Sequence, residues 1–328
     1  MIEKHNATLN LLLIIASFFV VLGHVPFPNP YGYYLLAIGK FSFPFFFMVY
    51  GWFLYREDPE EAEATVIKAL ISNLKLTLLS VVIVSIFNIS ISLTLGQHPF
   101  DWVMRFVSNR ESVLYFLIYN NAKFLNPVMW FFFAYTYVLL VYYLALRLKA
   151  LKIAYFFIIP LLLINLVRAM VFDLAWYQQG NWLFTGLPFV LLGSYLHKNK
   201  HLLEQVSLPK WWISIIAGVL ITIVENYCFG EQIIYIGNIF SALGIFAFFV
   251  IFKDKKLPDF LSKYGYEIAL ASFVLHCSFR NLFYYDFELY DFNANIWFLL
   301  PFIIFAICSG IGILCSIFKS KIEKTESA

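Results

Sequence analysis

Long apolar runs alternate with short polar breaks along this chain, and the runs have the length of a bilayer crossing. The first, "LNLLLIIASFFVVLGH", begins at Leu9, carries no fixed charge, ends on the imidazole of His24 and stops at a turn holding Pro26, Pro28 and Pro30. A helical span needs about 20 apolar residues. Segments that approach this length are 9–25, 33–55, 76–95, 127–146, 153–172, 182–196, 211–227, 232–252, 264–284 and 296–318. The pattern predicts an all-α polytopic membrane protein with about ten transmembrane helices in one integral membrane domain over residues 1–328. Two connections are longer than turns. Residues 56–75 run from an acidic stretch into a basic helical face; residues 96–126 are amphipathic and read as a re-entrant or interfacial helix over a site. No repeat of 20–50 residues is visible.

Composition removes the soluble alternatives. Hydrophobic residues make up 62% of the chain and charged ones 13%, with mean hydropathy +0.78; a soluble domain carries about 25% charged residues. One core cannot hide this much apolar surface, so the constant partner is membrane lipid. A net charge of +3 supplies no basic face for nucleic acid. Cys228, Cys277, Cys308 and Cys315 lie in or beside apolar runs without a C-x-x-C pair, which argues against a disulfide or zinc framework. Lys4 precedes the first run, as in a signal peptide, but no small-x-small cleavage site follows, so the run reads as a retained helix. Most Lys and Arg fall in 1–8, 56–75, 147–152, 197–210, 253–263 and 319–328, whereas the opposite side holds Arg105, Arg110, Lys123, Arg168 and Arg280. The positive-inside bias therefore predicts a multi-pass cell-membrane protein with both termini cytoplasmic.

Topology then gives each polar residue a depth. At 1.5 Å rise per residue, His24 lies near the outer end of the first span and Lys40 about 10 Å below the outer surface. His276 comes about 18 Å from the inner face, in the outer half, with Arg280 one turn beyond it. Glu225 and Asn226 close the seventh span on the outside, Asn238 lies early in the eighth, Arg168 ends the fifth, and Asn126 and Trp130 open the fourth. Ionisable groups within spans usually face a bundle interior or a wet cavity. Each has a plainer reading: an intramembrane histidine as a helix–helix hydrogen-bond partner, Lys40 as a snorkelling side chain, Arg168 and Arg280 as interfacial anchors. Their shared depth favours one cavity.

Five of these stretches, in order, resemble the acyltransferase 3 family. "NLLLIIASFFVVLGH" is similar to its first helix, usually L-D-x-L-R followed by an apolar stretch ending in His. "GKFSFPFFFMVYGWFLY" is similar to its second helix, "NPVMWFFFAYTYVLL" to its L-W-F-L segment, "WLFTGLPFVLLGSYLHK" to its P-F-x-x-x-G segment, and "LSKYGYEIALASFVLHCSFRN" to its penultimate helix, which ends in an apolar-His pair. The resemblance implies an integral membrane enzyme that moves an acyl group, usually acetyl, from cytoplasmic acyl-CoA to a hydroxyl of a surface polysaccharide, a lipid-linked glycan or peptidoglycan. It implies His24 as the essential first-helix histidine and His276 as the late one.

An imidazole can take the proton of a sugar hydroxyl as it attacks a thioester. Lys40, Arg280 or Asn238 would oppose the developing oxyanion, with Glu225, Asn238, Arg280, Arg168 and Trp130 expected at the substrate. No metal and no permanently bound cofactor is needed, acyl-CoA being a substrate. Its phosphates would meet Lys68, Lys75, Arg147, Lys149, Lys152 or the "KDKK" loop (Lys253, Lys255, Lys256), although each of these also satisfies the positive-inside bias alone. The chain departs from the family where Asn10 and Leu13 replace the first-helix Asp and Arg, where Lys68 and Lys75 stand without an R-x-x-R pair, and where Tyr50 precedes Gly51 in place of Ser. These departures keep open a non-catalytic member that transports or helps assemble polysaccharide, and an ion-coupled carrier relaying protons through His24, Lys40 and Glu225.

Overall fold

The computed structural model describes residues 6–252, 257–285 and 294–326, so the Lys253, Lys255 and Lys256 loop lies outside the described residues. Every regular element among the described residues is a helix. Seven segments are long and apolar enough to cross a bilayer: Ala7–His24, Tyr31–Leu54, Pro59–Thr94, Pro127–Arg147, Leu151–Val171, Leu208–Phe229 and Trp297–Lys321. The other three expected spans are also helical. α11 (Leu187–Lys198), entered through a π-turn at Trp182–Gly186, and α14 (Ile236–Ile251) are short, and α15 (Asp259–Tyr285) carries Lys263, Glu267, His276 and Arg280. A helix enclosed by others need not present a full apolar cylinder to lipid, and both α11 and α14 bury most of their residues.

Three departures from the sequence pattern shape the molecule. The expected loop 56–75 is instead the first half of α4 (Pro59–Thr94), a continuous 36-residue helix. Asp58 caps it by accepting from the Glu61 N–H at 2.8 Å, with Pro59 at its first position and Glu60 and Glu61 in its first turn, all favourable at a helix N-terminus. The expected single span 33–55 breaks into α2 (Tyr31–Gly39) and α3 (Ser42–Leu54), with Lys40 at the break. The amphipathic stretch 96–126 forms two short helices, α5 (Asp101–Ser108) and α6 (Arg110–Tyr119). Phe124 then returns to stack on Phe106, ring centroids 3.7 Å apart.

The core is organised around α1 (Ala7–His24). It runs parallel to α15: the Asn10 amide donates to the Leu261 carbonyl at 2.8 Å, the Ser17 hydroxyl to the Ala269 carbonyl at 3.1 Å, and the ring of His24 meets that of His276. α16 (Ala294–Glu326) covers this pair antiparallel, setting Phe302 and Phe305 against Phe18. α3 and α11 touch backbone to backbone through reciprocal glycines. A Cβ on Gly51 would come 2.0 Å from the Val190 carbonyl oxygen, and one on Gly193 2.0 Å from that of Met48. Small residues at membrane-helix contacts permit this approach. α7 (Trp130–Arg147), α9 (Ile158–Val171) and α13 (Leu208–Phe229) complete the bundle.

Candidate active site

α1 ends at His24, and the site forms where its last turn meets α15 around His276, short of the end of α15 at Tyr285. The His24 and His276 ring centroids lie 5.1 Å apart with the planes inclined at 37°. His276 is fully buried. Its Nδ1 lies 2.8 Å from the Ser272 carbonyl one turn back, an arrangement that places the proton on Nδ1 and leaves Nε2 as acceptor. The Cys277 Sγ stands 3.3 Å from that Nε2. Arg280 donates from Nη1 to the His24 carbonyl at 3.4 Å, satisfying a carbonyl that the end of α1 would leave bare. Its Nε and Nη2 donate to Asn281 Oδ1 at 3.1 and 2.8 Å.

His24 borders a cavity of about 280 Å³, together with Lys40, Trp130, Lys123, Trp176 and Glu231. Lys40 reaches it because the helix breaks there. The carbonyls of Ala37 and Ile38, which accept from the Lys40 and Phe41 N–H groups at the end of α2, also accept from the Asn238 amide at 3.2 and 3.4 Å, and the Ser42 hydroxyl donates to the Gly39 carbonyl at 2.8 Å. The Lys40 ammonium donates to Glu231 Oε1 at 3.1 Å and to the Gln232 carbonyl. The mouth of the site thus holds an imidazole, an ammonium and a carboxylate over aromatic walls.

Two further cavities lie towards the opposite end. One of about 250 Å³ is lined by Leu54, Ser72, Asn73 and Tyr135, among others. It shares Tyr50, Tyr266 and Leu270 with a small cavity of about 30 Å³, lined also by Leu13, Phe46, Phe131 and Phe273. Phe273 packs on Phe46 at 5.3 Å and on Phe131 at 5.1 Å, one helical turn before His276.

The structure gathers His24, Lys40 and Trp130 on one cavity, with His276 and Arg280 directly behind. Glu225 and Asn238 are committed elsewhere. The Glu225 carboxylate accepts from the Ile236 and Gly237 N–H groups at 3.0 and 2.9 Å, capping α14, while Asn238 clamps the α2–α3 break. Arg168 lies at the end of α9 with its guanidinium 4.4 Å from the Phe184 ring centroid and does not line the cavity. Lys68 and Lys75 are exposed on α4, and Arg147 pairs with Glu63 at 3.1 Å. Replacing Glu225 by Gln is expected to lower thermal stability by about 1–2 kcal/mol, since a charge-assisted cap on two backbone donors is lost. Thermal unfolding in one detergent measures the loss, and an unchanged midpoint would mean that the carboxylate is not committed to this cap.

Only one group of three potential metal-ligand side chains stands out among the described residues: His24, His276 and Cys277, with ligand atoms within 4.8 Å of one another. The guanidinium of Arg280 beside them opposes a bound cation.

Residues 6–317 match the profile of a family described as an acyltransferase domain. The chain belongs to the acyltransferase 3 family. No curated protein and no solved structure matches it.

Seen in the acyltransferase fold, the two first-helix departures have distinct settings. Asn10 is fully buried and binds the α15 backbone at Leu261, where Gly265 leaves room for its Cβ. Leu13 lines the small inner cavity beside Phe46 and Phe131. Sequence reasoning did not single out Glu231, which sits in a loop between spans and whose only signal was a carboxylate within the outer polar layer. Cys277 was set aside for lack of a cysteine partner, although its adjacency to His276 was visible.

Proposed function

We propose that this acyltransferase is a membrane O-acyltransferase that moves an acyl group, in the simplest case acetyl, from cytoplasmic acyl-CoA to a hydroxyl of a cell-surface polysaccharide or lipid-linked glycan. The observation that carries the reading is the histidine pair from α1 and α15, one ring on a cavity with Lys40 and the other buried behind it. In this reading the His24 end faces outward and both termini face the cytoplasm.

The acceptor hydroxyl donates its proton to the ring of His24 as its oxygen bonds to the thioester carbonyl carbon. The Lys40 ammonium opposes the negative charge that develops on the carbonyl oxygen. Collapse breaks the carbon–sulfur bond, and the leaving thiolate takes the proton from the His24 imidazolium to give free CoA thiol. His276, tethered to Ser272, holds the His24 ring in register. The cavity bordered by Ser72 and Asn73 gives a thioester arm an entry from the cytoplasmic end, with Lys68 and Lys75 on the same helix for the CoA phosphates.

Purified protein in lipid nanodiscs, given radiolabelled acetyl-CoA and glycan extracted from its own host, should release CoA thiol and label the glycan. Failure of the wild type both to bind CoA and to turn over the thioester would overturn the enzyme reading.

A further inference from the structure

Beside the histidine cavity lies a more open one, of about 450 Å³, between the Pro26–Asn29 turn, the start of α2, the end of α13 and the facing ends of α15 and α16. The two cavities share Leu36 and Glu231 as a common wall. Asn226 lines the open cavity and is only 1% exposed. Its Oδ1 accepts from the Tyr235 hydroxyl at 2.7 Å and its carbonyl from the Tyr33 hydroxyl at 3.2 Å, whereas its Nδ2 donors have no hydrogen-bond partner. A buried amide donor left unmatched is costly and uncommon, so this one calls for an oxygen from a ligand.

The remaining walls narrow the ligand's chemistry. Tyr33, Tyr284 and Trp297 present flat aromatic surfaces with polar tips, the last two with ring centroids 5.4 Å apart. Among the described residues, the charged side chain that lines it is the Glu231 carboxylate, 64% exposed. Glu231 is already paired with Lys40 at 3.1 Å, so the described lining offers no free cation to hold a phosphate or carboxylate, and a purely apolar ligand would leave the Asn226 donors unsatisfied. A sugar ring meets all of these demands: its C–H faces lie on aromatic rings, its oxygens accept from an amide, and its hydroxyls donate to a carboxylate.

We propose that this groove is the acceptor subsite and holds a neutral sugar ring. Asn226 donates to one of its oxygens, and Tyr33 and Trp297 cover its faces. A hydroxyl of the same ring or of the next one reaches past Leu36 to His24. Glu231, standing between the two cavities, exchanges its partner from Lys40 to the incoming sugar hydroxyl and leaves the ammonium free for the reaction. The assignment rests on the acyltransferase reading for its role, but the binding itself is testable apart from it.

The test uses the full chain in lipid nanodiscs. Saccharide binding is read by saturation-transfer NMR with the methyl glycosides of glucose, galactose, mannose and N-acetylglucosamine, and inorganic phosphate serves as the anionic counter-probe. Acetyl-CoA turnover by the wild type is followed in the same preparation. At least one glycoside should bind the wild type and phosphate should not. Asn226→Asp, which keeps the acceptor for Tyr235 and removes the amide donor, should weaken glycoside binding about tenfold, the loss of one well-placed hydrogen bond. Trp297→Ala should weaken it comparably and covers the case in which the Asn226 variant does not fold. Tyr227→Ala, at an 81% exposed neighbour, should bind as wild type does. Equal binding by both groove variants, absence of glycoside binding in a preparation that turns over acetyl-CoA, or phosphate binding in preference to glycosides would each overturn the proposal. Glycoside binding that is lost in the variants, in protein that never turns over thioester, would leave the groove standing and remove the catalytic reading instead.

Discussion

Replacing His24 with alanine is expected to reduce acyl transfer by about three orders of magnitude, within the range of about 10²–10⁴ for removal of a positioned general base. Several observations place the loss in the chemical step. His24 is the member of the histidine pair that borders the cavity, and its ring stands on the last turn of α1 rather than in the packed centre. Its backbone carbonyl, which Arg280 holds, survives the substitution. Acyl-CoA binding and the thermal midpoint should therefore change little while the rate constant falls. His276→Ala should cost less, about one to two orders of magnitude, because that ring acts through His24. The double variant should be no slower than His24→Ala alone, as expected for groups that act as a unit. Single-turnover rates with radiolabelled acetyl-CoA measure all three. A His24→Ala rate within threefold of wild type would remove the base from the mechanism, and additive losses would mean that the two rings act separately.

The largest effect on stability is expected at Gly51. An added methyl there would sit 2.0 Å from the Val190 carbonyl oxygen, a backbone atom that cannot swing aside, and the reciprocal contact of Gly193 with Met48 fixes the register. Separating α3 from α11 would also disturb Trp52, whose ring stacks on His197 at 4.3 Å and whose carbonyl lies 2.6 Å from His197 Nδ1. Gly51→Ala should therefore destabilise the protein by about 3 kcal/mol, the upper part of the usual range for overpacking. Gly310→Ala is the matched control: it also lies in a helix, but nothing stands within 4 Å of its added Cβ. It should be neutral or stabilising by up to about 1 kcal/mol through helix propensity. Thermal unfolding in one detergent, followed by thiol-reactive fluorescence and by monodispersity, compares the pair. Equal midpoints would mean that the α3–α11 contact is looser than its geometry implies.

Much of the bundle was legible in the sequence because lipid imposes a length on each apolar run. Membership of the helical class, the meeting of His24 with Lys40 and Trp130 on one cavity, and the nearness of His276 all followed from depth. What depth could not supply was direction. Glu225 lies in the same outer layer as His24, yet its carboxylate is drawn to the bare N–H groups at the start of α14, a demand that arises only when α13 and α14 pack. The break at Lys40 was equally hidden. The run from Tyr33 to Tyr55 is continuously apolar around that lysine, and the amide that stabilises the break comes from Asn238, far along the chain. Residues 56–75 looked like a loop because they are charged, but charge spaced around a helix beyond the hydrocarbon leaves the backbone free to continue helical, as α4 does. The cations Lys68 and Lys75 were read as phosphate ligands from their side of the membrane alone, and their exposure on α4 is equally that of ordinary solvated residues.

The phenylalanines around the small inner cavity bear on how the bundle keeps ions out. Phe46, Phe131 and Phe273, with Leu13 as a further apolar wall, help enclose about 30 Å³, and ions and hydrated protons do not enter a dry hydrophobic lining. Side chains of this kind make the middle of the bundle an electrical insulator.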